Sequence, residues 1–334
     1  MTEFRRDPIT DEWVIVHTSD PWGPERYDKE KQYLRQAGNC QFCPGRERFT
    51  PPEVDASRDN GQAPNGPGWK VRVVPNKFPA LRIEGNIDAQ QQGIYELSNG
   101  IGAHEVVIET PEHNHNMAEF SDEEMNEVIR KYQSRVRDLT RDRRFKYIIV
   151  FKNYGESAGT TVEHAHSQVI ALPMVPQEVL EELEGTKRYF EVHRRCVFCD
   201  MIQQEYEEKE RLIDENEDFL AFAPFVSRYP FEAWILPKSH HHDFTGLTEK
   251  QTLAFASMLR RTLYRIRVCL SDPAYNFYLH ISPVNYASVE SFHWHIEIVP
   301  KLTHFSGFEW GSGFYVVRTD PQKAAGYLRE IVVG

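Results

Sequence analysis

Two stretches of this chain repeat each other in order and spacing. Residues 104–113 (HEVVIETPEH) and 231–240 (FEAWILPKSH) are each an apolar run that meets a proline and then a histidine, with His113 and His240 standing 127 positions apart. A helix start follows each: Ser121-Asp122-Glu123-Glu124 and Thr248-Glu249-Lys250-Gln251 are both capping boxes. There the hydroxyl accepts from the third helical N–H, and the Glu or Gln reaches back to the cap. Met125, Val128, Ile129, Tyr132, Val136 and Leu139 then recur at helical spacing, as do Leu253, Phe255, Met258, Leu259, Leu263 and Ile266. Each helix leads to a strand (146–153 and 275–282), a loop, and an H-x-H motif. The motifs are His164-Ala165-His166 and His293-Trp294-His295, 129 apart, and each opens a further apolar strand that ends at proline. A C-x-x-C pair precedes each repeat: Cys40 and Cys43, then Cys196 and Cys199. A repeat of this length means that one supersecondary unit is used twice.

Short strands between Gly, Pro and Asn turns, with one capped helix per unit, predict an α+β fold. Each half is expected to be an antiparallel sheet with a helix packed on it. The expected halves are 1–175 and 188–334. They are joined around 173–187 (PMVPQEVLEELEGTK), an acidic, Pro-flanked linker expected to hold a short surface helix.

Composition narrows the function. The 334 residues carry a net charge of -11, and no basic stripe is present to displace counterions from a nucleic acid. An aromatic content of 12% excludes long disorder. No apolar run approaches the roughly 18 residues of a membrane helix, and the N-terminus lacks the apolar core of a secretory signal. A cytoplasmic setting with reduced thiols is the expectation, so paired cysteines point to metal or redox chemistry. Two pairs, each followed by histidines, favour zinc. Cys269 lies on an apolar helical stretch and reads as a buried filler. Lys77, Lys152, Lys301 and Arg318 lie near the motifs, and each taken singly reads as a solvated charge.

Zinc takes four ligands in a tetrahedron, and structural sites are often Cys2His2. Each half supplies that set: Cys40, Cys43, His113 and His164, then Cys196, Cys199, His240 and His293. His115, His241 and His242 are close enough in sequence to replace His113 or His240, and the repeat alignment favours the latter pair. Four protein ligands close the site, so the expected role is structural.

Alternate residues of a strand share a face, so one histidine of H-x-H can bind metal while the other meets a pocket. The second histidines are His166 and His295. The loop before His166 (NYGESAGTT, 153–161) is rich in Gly, Ser and Thr, whose backbone N–H groups can cradle phosphate oxygens. Its counterpart, 283–292 (PVNYASVESF), has no glycine. Gln168 follows the first motif and Glu297 the second. An amide donates to a phosphoryl oxygen, and a carboxylate repels it. The first half is therefore expected to be catalytic and the second structural. A neutral imidazole at His166 can attack phosphorus directly, with the loop and Gln168 stabilising the equatorial oxygens.

These motifs make a resemblance. RRDPITDEWVIV, CQFCPG, VPNKFPAL, ETPEHN, KNYGESAGTTVEHAHSQ, APFVSRYPFEAWILPKSH and FHWHIEIVPKL span nearly the whole chain. Together the chain resembles the galactose-1-phosphate uridylyltransferases, a duplicated branch of the histidine-triad superfamily. The resemblance implies two tandem histidine-triad-like halves and a ping-pong uridylyl transfer. His166 would take UMP from UDP-glucose and pass it to galactose 1-phosphate. It also implies that Asn76, Asn153, Gly159, Thr161 and Gln168 contact nucleotide or phosphate, that His164 is a zinc ligand, and that the enzyme is a homodimer. Two departures stand out. The sugar-contacting Lys and Glu of some members have no counterpart in GFEWGSGFY (307–315), and the second C-x-x-C is similar to that of the ADP-glucose phosphorylases. Adenylyl transfer to phosphate is therefore the alternative activity. A zinc hydrolase and a non-catalytic nucleotide sensor are the readings from other classes.

Overall fold

The computed structural model describes residues 1–29, 37–59, 61–288 and 290–333. Position 289, in the loop before the second H-x-H, lies outside them. One ten-stranded antiparallel sheet organises the chain. Its first five strands are β1 (Asp55–Arg58), β2 (Trp69–Pro75), β3 (Ala103–Ile108), β4 (Tyr147–Tyr154) and β5 (His166–Leu172). The other five are β6 (Leu212–Glu215), β7 (Phe219–Phe222), β8 (Ala233–Pro237), β9 (Tyr275–His280) and β10 (His295–Pro300). Across the sheet the order is β6-β7-β8-β10-β9-β4-β5-β3-β2-β1. Counted from either edge, the two sets of five follow the same order. They meet in the middle, where Tyr275 faces Tyr154 and Asn276 faces Asn153. The duplication read from the motifs is thus repeated in the topology, and the two halves share one continuous sheet.

Both capped helices form as the motifs predict. Helix α1 (Asp122–Leu139) starts at Ser121, and its box is closed by Glu124. A second, α2 (Gln177–His193), occupies the expected linker, and α3 (Val197–Glu208) follows the second C-x-x-C. The long α4 (Glu249–Leu270) starts at Thr248, with Gln251 closing its box. Helices α1 and α4 lie side by side and bury one continuous core. Met125, Val128 and Ile129 share that core with Val107, Val150 and Val169, as do Phe255, Met258 and Leu259 with Phe219, Ile235 and Phe277. The linker helix differs from expectation. It is 17 residues long and buries Val179, Glu182, Leu183 and Thr186. At Gly185 the backbone of Ile9 comes so close that an added Cβ would lie 1.8 Å from its carbonyl oxygen. A small three-stranded sheet, Thr2–Arg6 with Trp13–His17 and Tyr315–Val317, pairs the N-terminal end with the C-terminal one.

Candidate active site and metal centres

Tyr132 of α1 donates to Ser167 Oγ at 2.7 Å, which fixes which face of β5 looks into the helical core. The alternate residues His166 and Gln168 therefore face the other way, beside Phe42 of the first C-x-x-C turn, whose ring centre is 5.5 Å from that of His166.

Cys40, Cys43, His113 and His164 converge here, each offering one ligand atom within 4.8 Å of the others; Cys196, Cys199, His240 and His293 do the same in the second half. Tetrahedral zinc, with Zn–S about 2.3 Å and Zn–N about 2.05 Å, requires S···N edges of about 3.6 Å. The observed edges are 3.5 Å for Cys43–His113 and 3.6 Å from His164 to both Cys40 and Cys43. In the second set they are 3.4 Å for Cys199–His240 and 3.6 Å for Cys199–His293. His164 Nε2 lies 2.7 Å from the Thr110 carbonyl and His293 Nε2 3.0 Å from that of Pro237. A carbonyl can only accept, so both Nε2 atoms carry the hydrogen and both Nδ1 lone pairs are left for a metal. Both clusters therefore fit a metal ion. His115 lies apart from the first set, bonded to the Glu119 carbonyl.

The neighbouring histidine uses its nitrogens the other way round. His166 Nδ1 is 2.9 Å from the His164 carbonyl, so Nδ1 donates and the Nε2 lone pair remains for chemistry. Burial, reinforced by the Lys152 charge, lowers the imidazole to about 4, so the ring is neutral at pH 7. Lys152 is 1% exposed. This corrects its reading as a solvated charge: its ammonium donates to Glu109 at 2.6 Å and to the His166 carbonyl at 2.9 Å from the helix side of the sheet.

His166 opens on a cavity of about 680 Å³, lined also by Asn153, Gly155, Gly159, Thr160 and Thr161. Gly155 and Gly159 take φ of +85° and +91°, conformations that favour glycine and let the loop turn tightly beside His166. Asn153 and Gln168 carry amides on strands of this site. Asn153 Oδ1 accepts from Asn276 of β9 at 2.8 Å, and Gln168 Oε1 lies 2.7 Å from His104 Nε2 of β3. Asn76 stands on the far side of His104, with its Nδ2 3.1 Å from the same nitrogen. Asn276 and the role of His104 were not identified from the sequence. Asn276, Tyr278 and His280 are nonetheless alternate polar positions of one strand, which is the signal that was available.

The corresponding place in the second half is filled. His295 is 1% exposed, stacked on His280 at 4.6 Å and on Trp234 at 5.2 Å. Its Nδ1 faces the His293 carbonyl at 3.1 Å, as in the first half, but its Nε2 looks at Glu297 Oε1 at 3.5 Å. Glu297 is paired with Arg228 at 2.8 Å, and the linker's Glu182 with His280 at 2.7 Å. Glu182, His280 and His295 form a third group with metal-ligand spacing, one not identified from the sequence. Among the described residues no helix is long and apolar enough to cross a membrane.

Comparison with known proteins places this geometry. The models for the N-terminal and C-terminal domains of galactose-1-phosphate uridyl transferase match residues 1–176 and 182–305. ADP-glucose phosphorylase of Arabidopsis thaliana is 36% identical over 335 residues, covering 98% of this chain and 93% of that protein. Galactose-1-phosphate uridylyltransferase of Thermotoga maritima is 27% identical over 342 residues, covering 100% and 99%. The solved structure of the Arabidopsis phosphorylase with bound ADP-glucose superimposes with a TM-score of 0.83 at 33% identity, covering 100% of both chains. A uridylyltransferase structure gives 0.77 at 25%, covering 98% and 97%.

Proposed function

The chain belongs to the galactose-1-phosphate uridylyltransferase family, and from that premise we propose that His166 carries a nucleotidyl group between two sugar-phosphate partners. The activity is transfer of UMP from UDP-glucose to galactose 1-phosphate. The observation that carries the site assignment is the His166 tautomer. Its Nδ1–H is held by the His164 carbonyl, and its Nε2 lone pair meets a cavity rimmed by a Gly/Thr loop and an amide.

In the first half-reaction Nε2 forms a bond to the α-phosphorus as the bond to the glucose 1-phosphate oxygen breaks, and that oxygen leaves with its electron pair. In the second, a phosphate oxygen of galactose 1-phosphate attacks phosphorus and returns the lone pair to Nε2. Asn76, Asn153, Gly159, Thr161 and Gln168 bind nucleotide and phosphate in this reading, and Gln168 donates to the developing charge. Zinc in both Cys2His2 sets, with a structural role, is part of the proposal, supported by the edge lengths. When bound, it fixes the strand that bears each H-x-H. A catalytic half over 1–175, a structural half over 188–334, a homodimer and a cytoplasmic setting complete the reading. The repeated strand order supports the halves.

A second reading, adenylyl transfer from ADP-glucose to inorganic phosphate, is favoured by the higher identity to the Arabidopsis phosphorylase. It uses the same His166 chemistry. Intact-protein mass spectrometry after mixing with UDP-glucose or ADP-glucose, without acceptor, separates the two. A UMP adduct discharged by galactose 1-phosphate supports the uridylyltransferase. An AMP adduct from ADP-glucose alone, discharged by phosphate, replaces it with the phosphorylase. No adduct from either, under conditions that preserve phosphohistidine, removes the covalent assignment.

A further inference from the structure

An amide beside a phosphoryl group is useful only one way round: its NH2 end donates to the phosphoryl oxygens, whereas its carbonyl end repels them. Rotation of the terminal amide exchanges the two ends at little cost unless something holds one of them. We propose that His104 and Asn276 are positioning residues that lock the Gln168 and Asn153 amides with their NH2 ends turned to the phosphoryl group. The inference rests on the nucleotidyl-transfer reading and adds what orients its donors.

The backbone donors and carbonyls around each amide select its orientation. The backbone N–H of Ala80 donates to His104 Nδ1 at 3.1 Å, so Nδ1 holds a lone pair and the neutral ring carries its hydrogen on Nε2. The Gln168 atom 2.7 Å from Nε2 must accept, so it is the oxygen. That leaves Gln168 Nε2 as the end available to a ligand. Asn76 accepts the Phe78 N–H at 2.9 Å through its own oxygen, so its Nδ2 faces His104 but finds no lone pair there.

The same logic holds across the join between the halves. One end of the Asn276 amide lies 2.9 Å from the Ala158 carbonyl and 3.5 Å from that of Lys152, so it is the nitrogen. Its neighbour at 2.8 Å on Asn153 is therefore the oxygen, and Asn153 Nδ2 is the end left for the cavity that this residue lines. Asn276 belongs to the second half, so that half orients a donor of the first half's site. Both locks are built on strands rather than loops, which suits pre-organised donors that must not turn during the reaction.

The test measures the rate of nucleotidyl-adduct formation in a single turnover with the sugar nucleotide that labels the wild-type protein. The variants are His104→Phe, His104→Gln, Gln168→Ala, Asn276→Leu and the double variant His104→Phe/Gln168→Ala, with metal content and Tm recorded for each. His104→Phe and Asn276→Leu are expected to slow adduct formation roughly ten- to hundredfold, within the range for losing one transition-state donor, while Tm and metal content stay near wild type. His104→Gln, whose amide N–H can reach the place of Nε2–H, is expected to restore most of the rate. In the Gln168→Ala background His104→Phe is expected to cost nothing further, because a lock without its amide has no function. Undiminished adduct formation in both His104→Phe and Asn276→Leu, or an equal loss from His104→Phe with and without Gln168, overturns the inference. A wild-type protein that forms no adduct refutes the nucleotidyl-transfer reading instead, so the two failures are distinguishable.

Discussion

The two H-x-H strands share a tautomer pattern and a Cys2His2 cluster, yet one histidine faces a cavity and the other is sealed. Strand register shows where they part. Val106 opposes Gln168 in the first half, and Trp234 opposes Glu297 in the second, so His104 and Glu232 hold equivalent places. Likewise Phe151 opposes Gln168 and Tyr278 opposes Glu297, which makes Asn153 and His280 equivalents. In the first half three of these equivalent places are His104, Asn153 and Gln168, side chains that can donate. In the second they are Glu232, His280 and Glu297, and the added negative charge is balanced by Arg228, with Trp234 and His280 stacked over the imidazole. The comparison teaches that duplication supplied two equal scaffolds. The two scaffolds differ in the few side chains set at equivalent places on them.

The sharpest way to break this contrast is to remove each second histidine. His166→Ala should reduce adduct formation by a factor on the order of 10⁴ or more, as loss of a nucleophile does, whereas His295→Ala should leave it within a few-fold, both read by rapid quench. Equal losses would erase the distinction between the halves. The metal clusters give the next contrast. Cys43→Ser and Cys199→Ser should each lose one of two bound metals by elemental analysis and lower Tm. Only Cys43→Ser should also slow adduct formation, because the His164 carbonyl orients His166.

A third test addresses the sealed site. Arg228→Met leaves the buried Glu297 without its partner and should cost roughly 3 kcal/mol in denaturant unfolding, with adduct formation by the folded protein unchanged. The smallest expected effects are at the caps. Ser121→Ala and Thr248→Ala should each cost about 1 kcal/mol of stability and nothing in activity. Unequal costs would show that the two helices do not contribute alike.

Much of this was legible in the chain. The capping boxes, the H-x-H strands and both C-x-x-C pairs depend on short local spacing, and spacing is visible in sequence. What escaped depends on pairing between distant strands. His104 meets Gln168 only because β3 lies beside β5, and Asn276 meets Asn153 only because the halves join through β4 and β9. Glu182 lies in a segment whose acidic composition reads as solvent-facing. It is buried because Gly185 lets α2 seat against Ile9 and bring the carboxylate to His280. Lys152 was misread for a related reason, since burial of a lysine is legible only with its partner, and Glu109 is 43 residues away.

The central claim is that the duplicated scaffold carries one nucleophile, at His166. The most direct measurement is to label the wild-type protein with UDP-glucose or ADP-glucose, digest it under conditions that preserve phosphohistidine, and locate the adduct by peptide mapping. The account predicts a single nucleotidyl group, on the peptide that contains His166, and none on the peptide that contains His295. A nucleotidyl group on His295, or turnover that proceeds with no adduct on either histidine, would contradict it.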